Sequence, residues 1–195
     1  MSAGHKVRLK AATPPGWTAA VLADFDTFLL DHAGCERKAS ASAMAFVAHY
    51  PDRRELVSEC IALAQEELAH FAAVWRRLEA RGLALSADTR SPYMERLAKE
   101  FRKGSDAYFL DRLLCAGIAE ARGCERFGLV AGGLPPGEDR EFYREIARAE
   151  VRHQELYLHL AGLYFEAAAV EARLDALLAV EARIVGELPV RAALY

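Results

Sequence analysis

The chain has 195 residues, 53% hydrophobic, 27% charged and 9% aromatic, enough apolar material to bury a sizeable core as one domain over 1–195. The formal net charge is -3, so no global positive field attracts a polyanion and a nucleic-acid contact requires a local patch. Cys35, Cys60, Cys115 and Cys124 form no C-x-x-C pair, which argues against a zinc ribbon or thioredoxin-type site, and no apolar run approaches the roughly 20 residues of a membrane span. With no apolar signal region in the opening MSAGHKVRLKAATPPGW, a cytoplasmic protein with reduced thiols is expected.

Proline and glycine cluster at Pro14–Gly16, Pro51, Gly82, Pro92, Gly132–Gly137 and Gly186–Pro189. The proline-free stretches between them predict helices over 17–49, 52–81, 105–131, 138–166 and 168–186, with a shorter one near 92–103. In the first, Phe25, Leu29, His32, Glu36, Ala39, Ala43 and Phe46 form one stripe at alternating steps of four and three. The second repeats the pattern with Leu56, Cys60, Leu63, Glu67, His70, Val74 and Leu78. Further stripes run through Leu113, Gly117, Glu120, Cys124 and Phe127, and through Ile146, Glu150, His153, Tyr157, Leu160 and Tyr164. No segment has a convincing period of two. The expectation is an all-α four-helix bundle of two antiparallel pairs, joined by a long connection over about 82–104 and followed by an extra C-terminal helix.

Each apolar stripe carries a glutamate, and in two of them a histidine follows three residues later, as Glu67-x-x-His70 and Glu150-x-x-His153. An unpaired carboxylate in an apolar interior costs several kcal/mol or takes up a proton, so four converging carboxylates need a shared partner. Two such Glu/His pairs plus single glutamates at Glu36 and Glu120 make the six-ligand set of a carboxylate-bridged dinuclear iron or manganese site. Register supports this set: Glu36 precedes Pro51 by 15 residues and Glu67 follows it by 16, while Glu120 and Glu150 each stand 15 from Pro135. Glu125 competes with Glu120, because Gly123-Cys124-Glu125-Arg126 echoes Gly34-Cys35-Glu36-Arg37, although it lies off the stripe. His32 reads as a hydrogen-bonded core residue beside Glu36, with a ligand role as the alternative. His5, His49 and His159 read as surface or boundary residues, and Glu55, Glu59, Glu66 and Glu79 as solvated charges. Oxygen donors with two imidazoles suit iron or manganese, whereas structural zinc favours thiolates.

The run from Ile118 to Phe127, IAEARGCERF, resembles the signature of the tRNA 2-methylthio-N6-isopentenyladenosine hydroxylase (MiaE) family of ferritin-like di-iron proteins. The likeness extends through Thr13-Pro14, Trp17, Asp31-His32-Ala33, Cys35 to Ala39, Glu66 to Leu68, His70-Phe71, Glu150, Arg152-His153 and Tyr157-Leu158. Carried over by position, the family's metal ligands fall on Glu36, Glu67, His70, Glu120, Glu150 and His153. Gly123 departs from the family's serine, and the stretch from Glu187 to Tyr195 lacks a basic, histidine-containing tail. The resemblance implies two iron ions, O2 as co-substrate and hydroxylation of the isopentenyl side chain on the modified adenosine next to the tRNA anticodon. No side chain beyond the metal ligands acts as catalyst in this reading. With no nicotinamide or flavin motif, electrons come from an external reductase, and a monomer or dimer is expected. Candidate tRNA contacts are Arg76, Arg77, Arg122 and Arg126, weighed against an ordinary mixed-charge surface. Alternatives are a small-substrate di-iron oxygenase, a ferroxidase or peroxidase in iron or oxidative-stress handling, and a metal-free helical interaction module.

Overall fold

The computed structural model describes residues 6–195, and His5 lies outside them. Seven helices and no strand occur among the described residues: α1 (Trp17–Ala23), α2 (Phe25–His49), α3 (Arg54–Ala80), α4 (Pro92–Ala98), α5 (Ser105–Gly133), α6 (Glu138–Tyr164) and α7 (Ala167–Glu187). None is long and apolar enough to cross a membrane. The helix expected over 17–49 is two helices, because Asp24 leaves helical geometry at φ -138° and its carboxylate accepts from the Thr27 amide at 3.3 Å, starting α2 afresh. The connecting helix ends at Ala98 instead of 103.

The helices group into two compact units. One comprises Ala23–Thr89 with Ala192–Leu194. Here α2 and α3 form a hairpin whose short turn, Tyr50 to Arg53, makes them antiparallel neighbours. Phe28, Leu29, Ala43 and Phe46 of α2 and Leu56, Cys60, Leu63, Val74 and Leu78 of α3 are buried, as the stripes require. Helix α3 stops at Gly82, whose φ of 68° lets the Leu83 amide return to the Leu78 carbonyl at 3.0 Å.

The other unit comprises the described residues to Leu22, Arg90–Arg191 and Tyr195. Helices α5 and α6 form its hairpin across Leu134 to Gly137, and α7 packs on α4 and α5. Helix α5 is buried nearly all round, on positions well beyond its predicted stripe, among them Leu114, Ile118 and Arg122. Asp111, also buried, accepts from Arg102 and Arg173 at distances down to 2.8 and 2.7 Å. Its burial raises the carboxyl pKa, but these guanidinium hydrogen bonds outweigh that effect and lower it.

Candidate metal centre

In the α2–α3 unit, Glu36 sits midway along α2 and Glu67 and His70 midway along α3, and one donor atom from each lies within 4.8 Å of the others. Glu36 and Glu67 are buried, and the His70 side chain is 14% exposed. His70 Nδ1 stands 3.6 Å from Glu36 Oε2 and 3.5 Å from Glu67 Oε2. These gaps exceed a good hydrogen bond of about 2.7–3.2 Å and match donors that each reach a common ion at about 2.0–2.2 Å.

The electrostatics of this triad favour ionised oxygen donors. Burial pushes the Glu36 carboxyl up, but the charge and hydrogen bond of His32, then the neighbouring His70 and Glu67, bring it down to about 2. His32 is buried and its Nε2 lies 2.5 Å from Glu36 Oε1, so it orients the carboxylate from behind. Burial works against a charge on His70, yet the neighbouring carboxylates of Glu36 and Glu67 raise its pKa to about 10.

In the α5–α6 unit, donor atoms of Glu120, Glu150 and His153 also lie within 4.8 Å of one another. Glu150 and His153 are buried and Glu120 is partly exposed. His153 Nδ1 is 3.5 Å from Glu150 Oε2. That oxygen is buried and accepts no hydrogen bond among the described residues, a deficit worth about 1–3 kcal/mol that a cation at this point would remove. Carboxylates and imidazoles with no thiolate fit iron or manganese, so both triads have the donor chemistry for the metals that the sequence predicts.

Glu125 belongs to a different cluster. It accepts from the Thr13 amide at 3.0 Å and hydroxyl at 2.6 Å, and pairs with Arg122. Arg122 is wholly buried and also binds Glu181 (2.8 and 3.1 Å) and the Ala11 carbonyl. Arg126 is 7% exposed and lies over the Trp17 ring with its Nε on Thr13 Oγ1. Both guanidiniums, candidate tRNA contacts by sequence, are held inside the unit by these partners. Arg76 is exposed, and Arg77 is partly exposed with its guanidinium on the Ala73 carbonyl.

His49 and His159 are exposed. Among the thiols, all free, Cys60 and Cys115 are buried and Cys35 and Cys124 partly so; burial pushes Cys115 up to about 12. The role of Tyr195, which reaches α5 beside Glu120, carries no signal in the sequence.

A protein from Pseudomonas putida, named tRNA 2-(methylsulfanyl)-N(6)-isopentenyladenosine(37) hydroxylase, is 33% identical over 177 residues, 91% of this chain and 86% of its own length. A protein of the same name from Salmonella typhimurium is 35% identical over 132 residues, 67% of this chain and 48% of its own length. Among solved structures, a Synechococcus protein 43 with aldehyde deformylating oxygenase activity matches with a TM-score of 0.89 and 34% identity, over 94% of this chain and 92% of that one. The fold is thus all-α and ferritin-like. The model of the tRNA-(MS[2]IO[6]A)-hydroxylase (MiaE) family matches residues 2–192, and the chain belongs to that family.

Proposed function

We propose that the chain is an iron-dependent monooxygenase that hydroxylates the isopentenyl side chain of 2-methylthio-N6-isopentenyladenosine next to the tRNA anticodon. The observation that carries this reading is the pair of buried Glu/Glu/His triads in a chain of the MiaE family. Glu36, Glu67 and His70 would hold one iron and Glu120, Glu150 and His153 the second. Bound there, the iron pair supplies reduction of O2 and insertion of one oxygen atom into a C–H bond, using two electrons from a separate reductase.

The chain's own residues prepare this chemistry. His32 holds Glu36 in place, so the carboxylate is ionised and oriented before metal arrives. His70 carries a proton at neutral pH in the metal-free chain and surrenders it on ligation. Burial of Glu67, Glu150 and His153 limits water at the donor atoms that would hold the metal. Arg76 and Arg77 contribute phosphate contacts. The protein acts in the cytoplasm as a monomer or dimer.

The test is mass analysis of tRNA nucleosides from cells that make the isopentenylated adenosine, with and without this chain. A gain of one oxygen on that nucleoside is expected; none, from iron-loaded and reducible protein, removes the substrate assignment. The likeness to the Synechococcus protein favours a second reading, oxidation of a small hydrophobic substrate. It predicts turnover without tRNA and no effect of anticodon stem-loops on oxygen uptake.

A further inference from the structure

Tyr195 belongs to the same unit as Glu120, Glu150 and His153. Its hydroxyl donates to the carbonyl of Ala119, the residue before Glu120, at 2.8 Å. Its ring stacks on the buried Tyr93, centroids 5.1 Å apart and planes 19° from parallel, and Arg191 Nη2 donates to its main-chain oxygen at 2.9 Å. Two side-chain contacts and one main-chain hydrogen bond therefore hold this partly exposed residue.

The notch that receives the phenol is made by Gly123. This glycine is buried in the interior of α5, where glycine costs about 0.5–1 kcal/mol relative to alanine. Its φ is not positive, so backbone geometry does not require glycine there. Space favours it: a Cβ at 123 would stand 3.0 Å from the Tyr195 hydroxyl, displacing the phenol by a few tenths of an ångström, and 4.0 Å from Glu150 Oε2. One point on α5 thus touches both the phenol and the buried oxygen that lacks a hydrogen bond.

We propose that Tyr195 is a plug in the wall of the Glu120–Glu150–His153 triad, its phenol seated against Gly123 to keep water and small anions from the metal position. The inference rests on the metal-binding reading of that triad. Tyr195 is a positioning residue: it spans from the surface to the notch, and closing such a site strengthens its electrostatics and suppresses side reactions.

The test is azide binding to the iron-loaded, oxidised protein, followed by absorption in stopped flow, with iron content measured for every variant. Tyr195→Ala is expected to raise the association rate about tenfold at unchanged iron content. Tyr195→Phe keeps the ring and stays close to the unsubstituted rate. Gly123→Ala unseats the phenol and also raises the rate, whereas in the Tyr195→Ala background it lowers the rate, because the methyl group refills the notch. Unchanged azide kinetics in Tyr195→Ala and in Gly123→Ala, at full iron content, overturns the plug alone. Failure of the unsubstituted chain to take up iron overturns the metal reading and the plug with it.

Discussion

The α2–α3 triad and the α5–α6 triad repeat one pattern, a glutamate opposite an E-x-x-H pair, in different surroundings. In the first, His32 grips the lone glutamate, and the ligand histidine is partly exposed with its Nδ1 3.6 and 3.5 Å from two carboxylates. In the second, the histidine side chain is 3% exposed, a carboxylate oxygen lacks a hydrogen bond, and a tyrosine stands at the wall. The difference teaches that spacing selects ligand types, while neighbours on other turns and helices set charge and access. In the α2–α3 triad a histidine outside the ligand set orients one carboxylate; in the α5–α6 triad a buried carboxylate oxygen is left for a metal to satisfy.

The largest expected effect comes from removing ligands on either side. Glu67→Ala with His70→Ala, or Glu150→Ala with His153→Ala, should abolish hydroxylation and lower bound iron from about two per chain to at most about one. Metal analysis with nucleoside mass measurement checks this. Next is Arg122→Ala, which strands the buried Glu181 carboxylate and should cost about 3–5 kcal/mol in denaturant unfolding. The anticodon stem-loop affinity of the same variant should keep the unsubstituted salt dependence, because Arg122 is held inside the unit.

His32→Ala should weaken iron binding in the α2–α3 triad about 10–100-fold while leaving the α5–α6 triad loaded, as resolved by stepwise titration. The pH dependence of the metal-free protein separates the triads further. Because the folded His70 pKa is raised from 6.5 to about 10, its ionic contribution to stability is complete below pH 6.5 and declines as pH rises toward 10. Melting temperatures across that window should fall more for the unsubstituted chain than for His70→Gln. The smallest effect is that of Arg76→Ala, expected to reduce the slope of log affinity for tRNA against log salt by about 1.

Much of the helical plan can be read in the sequence because proline and glycine bound each long segment and the apolar stripes hold their period. The break at Asp24 escaped because no proline or glycine marks it, and its only signal is an aspartate three residues before Thr27, a common cap pattern. Glu36, Glu67, Glu120 and Glu150 stood out as acids on apolar stripes, which local spacing alone can reveal. The placement of Arg122 could not, since its partner Glu181 is 59 residues away. One signal was present: α5 is apolar on several faces from Leu113 to Ala119, as a helix covered on more than one side must be. The seat of Tyr195 at Gly123 depends wholly on tertiary placement.

Anaerobic Fe(II) titration of the unsubstituted chain, with bound iron measured at saturation, tests the metal reading of the two triads most directly. The account predicts saturation at about two irons per chain. Saturation at one iron or fewer would contradict it.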